Sequence, residues 1–499
     1  MFTKVLVANR GEIALRILRA LKEIGVWSVT VFSDADRNSP HVRYADEAYR
    51  IGPPPSTESY LNIERILDVA KKSGAQAIHP GYGFLAENGA FAEACERERI
   101  VLVGPSSKAI RLLGDKTRAR RTMKEAGIPV VPGSEEPVGD EREAKRVCDE
   151  IGYPVILKAA AGGGGKGMRK IVSSDEIAGA LSTAMSEARS AFDDSRIYVE
   201  KLIQNPRHVE FQVLADRNEN VIHLGERECS VQRRHQKMIE ESPSCIVDEA
   251  LRAKMGAVAR RVVLAAGYTN AGTVEFLVDK DKNFHFLEMN TRLQVEHPVT
   301  ELVTGVDIVK QQFALAAGES LKLTQDDISL KGSAIECRIS AEDPFNNFMP
   351  STGKIIRLVE PGGPGIRMDS GVFEGFEISL YYDPLIAKLL SWGETREEAI
   401  ARMKRALREY WIHGIRTTVP FHMQVLTNEQ FLTGEYDTSI VDSISGELRP
   451  EEVDSSVAAV AAVVMAHRRK QRTMLSSRSR TGDRPWKMAG RIDALRRYR

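Results

Sequence analysis

The chain has 499 residues, of which 42% are hydrophobic and 28% charged, with a formal net charge of +1. This is a soluble globular balance in a chain too long for one ordinary core, so about three packed units are expected. The longest apolar run, Val457 to Ala466, falls short of the roughly 20 residues that cross a bilayer, and the N-terminus reads as a strand rather than a signal peptide; an intracellular, cytoplasmic protein with no membrane contact is expected. The charge is uneven: His467 to Arg499 holds 12 Lys or Arg against two acids, so the body before it is mildly acidic and the end is a basic arm. The five cysteines (Cys95, Cys148, Cys229, Cys245, Cys337) are scattered without a C-x-x-C pair, which argues against a disulfide framework or a zinc site and predicts reduced packing residues.

In chain order, strand-like runs at Val5 to Ala8, Ser28 to Phe32, Ala77 to His79 and Ile100 to Val103 alternate with helical stretches, the pattern of a parallel βα sheet. Asn9-Arg-Gly-Glu12 falls at the first strand-to-helix turn. From Asp115 to about Leu323 the strands lengthen and become hairpin-like. From Gly332 a mixed unit follows, with strands at Ala334 to Ile339, Ile355 to Leu358 and Leu385 to Leu390 and a helix over Arg396 to Glu409. The fold class is therefore α/β joined to α+β.

The segment KAAAGGGGKGMRKI, Lys158 to Ile171, formally contains G-x-G-x-x-G but lacks the P-loop's first glycine and its Ser or Thr after the lysine. Apolar Pro154 to Leu157 precedes it and alternating Met168 to Val172 follows, so it reads as strand, glycine loop, strand, with the next helix starting at an Asp175 cap. Such a flap would cover phosphates with backbone amides, Gly164 and Gly165 among them.

Gly272 to Pro298, GTVEFLVDKDKNFHFLEMNTRLQVEHP, predicts a hairpin of Val274 to Val278 with Phe284 to Leu287 about a turn near Asp281. Glu275 then faces Glu288. Facing carboxylates repel unless a cation sits between them, and hard oxygen ligands suit magnesium or manganese. Continued by twos, Glu288, Asn290, Arg292, Gln294 and Glu296 share one face, and Leu287, Met289, Leu293 and Val295 form the core face.

The runs VLVANRGEIALRIL, HPGYGFLAEN, KAAAGGGGKGMRK, CSVQRRHQK, EMNTRLQVEHPVTE and IECRISAEDP together closely resemble the biotin carboxylase family of ATP-grasp enzymes, in order from about residue 3 to 446. The resemblance implies an N-terminal α/β domain over 1–113, an ATP-grasp domain over 114–325 with a lid over about 131–203 and a C-terminal α+β domain over 326–446; beyond it, residues 447–499 read from their own pattern as a helical, basic tail. It implies ATP-dependent carboxylation of biotin by bicarbonate through carboxyphosphate, with ATP and two Mg2+ or Mn2+ ions, in a homodimer. It also implies nucleotide contacts by Lys116, Lys158, the hinge Glu200, Lys201, Leu202 and Ile203, His208, Gln232 and His235, and metal ligation by Glu275, Glu288 and Asn290. Bicarbonate would meet Lys237, Arg292, Gln294 and Val295, Glu296 would be its base, Arg338 would stabilise the biotin enolate, and Tyr82 and Gly83 would touch biotin. As an isolated strand residue, Arg338 would instead pair with Glu336 or Glu342.

Lys166 stands where the family usually has arginine, keeping charge but losing a forked donor. No A-M-K-M biotinylation motif occurs, and Trp486-Lys-Met-Ala489 lacks the β-rich flanks of a carrier domain, so biotin must come from a partner: a biotin carboxyl carrier protein or a biotinylated carboxyltransferase. Acetyl-CoA, propionyl-CoA and pyruvate all stay open as final acceptors. Another ATP-grasp ligase forming an acylphosphate shares the flap and hairpin; Lys237, Glu296 and Arg338 favour biotin carboxylase over it. Nucleic-acid binding by the tail is disfavoured by the acidic body and the lack of interleaved aromatics. Ser455 to Arg472 predicts a helix, and the arm beyond it, anchored by Trp486, a docking element for the biotinylated partner.

Overall fold

Val5, Leu6 and Val7 are fully buried at the centre of a five-stranded parallel sheet, ordered Glu47–Gly52, Trp27–Ser33, Lys4–Val7, Ala77–His79, Val101–Leu102. The protein, here a computed structural model, is described over residues 1–160, 168–445, 460 and 462–468. Helix Gly11–Glu23 covers this sheet with Ile13, Ala14, Ile17, Leu18 and Leu21, the apolar stripe of a 3.6-residue period. The expected parallel βα pattern is present; the strand Glu47–Gly52 is an addition to it, because its charged, half-exposed first half carries little apolar signal. At the first turn, the Asn9 side-chain amide donates to the carbonyls of Pro80 (2.7 Å) and Tyr82 (2.8 Å), which fixes the loop bearing Tyr82 and Gly83.

An eight-stranded antiparallel sheet follows, ordered Phe284–Asn290, Asn270–Val278, Arg207–Ala215, Val221–Arg233, Gln236–Ser242, Ser333–Ser340, Leu385–Gly393, Ile366–Ser370. It runs without a break from the hairpin to the strands near the end of the described chain, and residues 1–448 form one compact unit. Helix Arg396–Glu409 packs on it with Ala399, Ile400, Met403, Ala406 and Leu407. A separate three-stranded sheet (Arg169–Ile171, Val155–Ala159, Ile197–Lys201) flanks the glycine-rich segment and is covered by helices Glu141–Ile151 and Ile177–Phe192. A short 3-10 turn, Ser174–Glu176, precedes the second helix, so Asp175 lies within that turn rather than capping the helix.

Gly164, Gly165 and Lys166 lie outside the described residues, as do most of the expected tail helix and the whole arm around Trp486; residues 462–468 are helical. Among the described residues no helix is long and apolar enough to cross a membrane. Cys95, Cys148, Cys229 and Cys337 are buried free thiols; Cys245 is exposed, contrary to its expected packing role, because it sits in the loop after strand Gln236–Ser242.

Candidate active site

The hairpin Asn270–Val278 with Phe284–Asn290 closes on Asp279, whose carboxylate accepts the amides of Asp281 and Asn283, both at 2.9 Å. Next to the turn, Val278, Leu277 and Phe276 oppose Phe284, His285 and Phe286; a bulge then leaves Leu287 unpaired and brings Glu275 opposite Glu288. The expected opposition is present, but strict symmetry about Asp281 would have put Leu287 there. The bulge also revises the expected faces. Phe286 and Met289 enter the core, while Leu287 and Val295 are only half-buried. The strand stops at Asn290, and the chain turns into helix His297–Thr304 with Glu296 at its N-cap. Even so, Arg292 donates to Asn290 Oδ1 (3.2 Å) and Gln294 Oε1 (2.9 Å), so the polar row is kept by hydrogen bonds.

Lys237 is the centre of the charge arrangement. Its ammonium donates to Glu210 (2.5 Å), Glu275 (2.9 Å) and Glu296 (2.7 Å), using all three protons. Arg338 donates to Glu240 (2.5 Å) and Glu296 (3.0 Å), rather than to the Glu336 or Glu342 that an isolated strand arginine would take, because its side chain reaches diagonally to the neighbouring strand Gln236–Ser242. Burial alone would raise the Glu296 carboxyl, but Lys237, Arg338 and Arg227 hold it below the ordinary range, so it is ionised. Glu275 is likewise held well below its ordinary value against burial, by Lys237 and by His208, whose ring nitrogen lies 3.0 Å away.

The remaining expected residues surround this centre. Lys116 pairs with Glu288 at 3.0 Å, and Lys158 with Glu200 at 2.5 Å. The amides of Lys201 and Leu202 already donate to the carbonyls of Pro132 (2.7 Å) and Pro154 (3.1 Å), and the Lys201 ammonium to Gly152 and Tyr153, so these groups brace the hinge. Gln232 opposes Lys237 in the hairpin closed by Arg234 and His235, both in the left-handed region (φ +49° and +64°) that a two-residue turn demands. Desolvation pushes the His235 imidazole below its ordinary range, with Lys158, His208 and Lys116 adding to the fall. Tyr82 donates its hydroxyl to Glu12, and Gly83 has φ +67° with open space beside it.

Sequence reasoning misses the residues that hold this set in place. Glu87 accepts the Thr291 amide (3.0 Å) and Arg292 Nε (2.8 Å). Arg227, fully buried, donates to Glu210 (2.5 Å), Gln212 (2.8 Å), Thr300 (3.1 Å) and Thr273 (3.0 Å). The alternation of HVEFQV could have pointed to Glu210, but Arg227 lies opposite it only because of a second bulge, between His223 and Glu226. Glu275 and Glu288 face each other across the ladder, and Asn290 donates its Nδ2 to Glu275 (2.9 Å) while its Oδ1 accepts from Arg292; the hard oxygens of these residues are of the kind that magnesium or manganese takes. The deeper group His208, Glu210 and Glu275 also brings ligand atoms within 4.8 Å of one another, but both oxygens of Glu210 are already taken, one by Arg227 and one by Lys237.

Comparison with known proteins finds matches along most of the chain. Residues 1–110 match the biotin carboxylase N-terminal domain, 115–324 the ATP-binding domain of the carbamoyl-phosphate synthase L chain, and 336–443 the biotin carboxylase C-terminal domain. The chain is 54% identical over 444 residues to the biotin carboxylase of a Nostoc species, covering 89% of this chain and 99% of that one. It superposes with TM-score 0.87 on the biotin carboxylase of Campylobacter jejuni in a βγ-ATP complex, at 49% identity, covering 89% and 99% of the two chains. With TM-score 0.86, 50% identity and 89% and 98% coverage it also matches the biotin carboxylase domain dimer of Hydrogenobacter thermophilus 2-oxoglutarate carboxylase in complex with MgADP, ADP and bicarbonate. A buried Lys237–Glu296–Arg338 crossing beside an acid-paired hairpin, together with these matches along most of the chain, establishes that it belongs to the biotin carboxylase family.

Proposed function

We propose that the chain carboxylates biotin carried by another protein, using ATP and bicarbonate. The observation that carries this reading is Glu296, fully buried, ionised and held between Lys237 and Arg338. A site of this kind sets an ionised carboxylate against two cations, which suits an anionic substrate that must lose a proton. Bicarbonate entering between Lys237, Arg292 and Arg338 would draw Lys237 and Arg338 away from Glu296 and raise its basicity, so the carboxylate would take the bicarbonate proton. The freed oxygen would attack the γ-phosphorus of ATP, with ADP leaving and carboxyphosphate forming. Carboxyphosphate would then break its C–O bond to carbon dioxide and phosphate, and the phosphate would take the ureido proton of biotin while Arg338 stabilised the enolate that attacks carbon dioxide. Lys116, Lys158 and His235 would neutralise or contact the nucleotide, with Gln232 and His208 beside them and the Glu200–Ile203 hinge reading adenine. Glu275, Glu288 and Asn290 would hold magnesium or manganese; when bound, the metal offsets charge on the phosphates. Tyr82 and Gly83 would line the biotin side.

The arrangement of domains as 1–113, 114–325 and 326–446, a homodimer, and a biotinylated carrier or carboxyltransferase as partner complete the proposal, supported by the family membership. The test is incorporation of labelled bicarbonate carbon into free biotin by the purified chain with ATP. Incorporation that requires ATP and stops in Glu296→Gln supports the reading; ATP cleavage indifferent to both bicarbonate and biotin refutes it.

A further inference from the structure

Lys388 is fully buried in strand Leu385–Gly393, directly opposite Arg338 on one side and Asp369 on the other. A buried ammonium is costly unless paired, and an apolar residue of like size would serve a simple core better. Its three protons therefore show what it is for. One goes to the Val295 carbonyl at 2.9 Å, Glu12 Oε1 lies at 3.2 Å, and Asp369 Oδ2 is farther, at 3.9 Å. Asp369 is already gripped by the Arg367 fork at 3.2 and 2.9 Å, so Lys388 is left for Val295 and Glu12.

These two partners belong to distant segments. The Val295 carbonyl is half of the peptide that leads into Glu296, and the preceding Gln294 carbonyl accepts His297 Nδ1–H at 2.7 Å, so both peptide planes before the base are pinned. Glu12 accepts the Tyr82 hydroxyl, and Asn9 holds the Tyr82 carbonyl. One ammonium thus ties the backbone that aims Glu296 to the side chain that aims Tyr82. We infer that Lys388 is a positioning residue for biotin carboxylation, setting Val295–Glu296 and, through Glu12, Tyr82 in one fixed arrangement. The inference rests on the function proposed above.

The test uses the full chain with Lys388→Met and Glu12→Gln combined, which removes the ammonium and its carboxylate together and leaves Asp369 with Arg367. With ATP, bicarbonate and free biotin, the folded double variant should carboxylate biotin about tenfold to a hundredfold more slowly, or with a KM for biotin raised as much, because a misplacement of the order of 1 Å has that cost. Its KM for ATP should stay within about twofold, since the nucleotide residues are untouched. Adding Tyr82→Phe should then cost much less than it does in the wild type, because residues acting through one contact are not additive. A folded double variant with wild-type biotin kinetics overturns the inference, and so does an equal loss toward ATP and biotin, the mark of a merely structural role. Should the double variant fail to fold, Glu12→Gln alone should raise KM for biotin with KM for ATP unchanged; no rise overturns the inference. Wild-type protein assayed alongside separates the cases: if it too fails to carboxylate biotin, the proposed function is what falls.

Discussion

At the hairpin end of the site, Glu288 and Lys116 form a single 3.0 Å ion pair with 34% and 27% of their side chains exposed, whereas at the other end Glu296 is wholly buried and receives both Lys237 and Arg338. A half-buried pair gains less from its contact than a fully buried one and gives it up more cheaply, so the hairpin end is the one suited to exchanging its own lysine for another partner. The buried crossing cannot lose one member without leaving charge unpaired in a low-dielectric interior. Binding at that end must bring its own charge. An anion can do so by replacing Glu296 as the partner of Lys237 and Arg338, and the same exchange frees the base.

This contrast can be broken in four places. The largest effect is expected from Glu296→Gln, which should lower bicarbonate-dependent ATP cleavage about 10²–10⁴-fold, the ordinary worth of a positioned base, with the fold retained by circular dichroism. Cleavage at the wild-type rate would remove Glu296 from the chemistry. Arg227→Met should cost about 3–5 kcal/mol in chemical denaturation, because it leaves Glu210 buried with Lys237 as its remaining cation. A loss under about 1 kcal/mol, the range of an exposed pair, would mean the buried end is no more demanding than the hairpin.

A pH series sharpens the comparison. Burial pushes the Glu240 carboxyl up to about 7 from its ordinary 4.5, with Arg338 opposing and Glu296 adding to the rise. A carboxyl raised on folding contributes stability that is complete below 4.5 and is lost as pH climbs through about 7. The melting temperature of the wild type minus that of Glu240→Gln should therefore fall between these pH values, and a pH-independent difference would contradict the assignment. The smallest change in stability is expected for Glu288→Gln, below about 1 kcal/mol. It should nevertheless raise the magnesium needed for half-maximal ATP cleavage, and unchanged activity at limiting magnesium would remove Glu288 from the metal set.

Local pattern makes the elements legible. The parallel βα start, the helix Arg396–Glu409 and the hairpin turn around Asp281 follow from periodicity and turn residues that neighbours in sequence decide. The opposition of Glu275 and Glu288 is legible too, yet the structure reaches it through the unpaired Leu287, and bulges leave only a weak trace in sequence. The same limit hides Arg227. Simple continuation of its hairpin would set Glu210 against Glu226, two like charges, and one register shift replaces Glu226 with an arginine. The partner of Arg338 escapes for a different reason: Glu240 lies 98 residues away and reaches it by the pairing of Gln236–Ser242 with Ser333–Ser340. Glu87, 205 residues from Arg292, is of the same kind. Motifs supply the roster of reacting groups, but the residues that hold those groups depend on strand neighbours and loop contacts that no local pattern carries.

The central claim, that bicarbonate activated in this site attacks ATP, is tested most directly by following oxygen. With all three bicarbonate oxygens labelled as 18O, ATP and free biotin, the attacking oxygen stays with phosphorus when carboxyphosphate breaks, so the account predicts one labelled oxygen in each phosphate released. Phosphate that carries no label while ATP is consumed would contradict it.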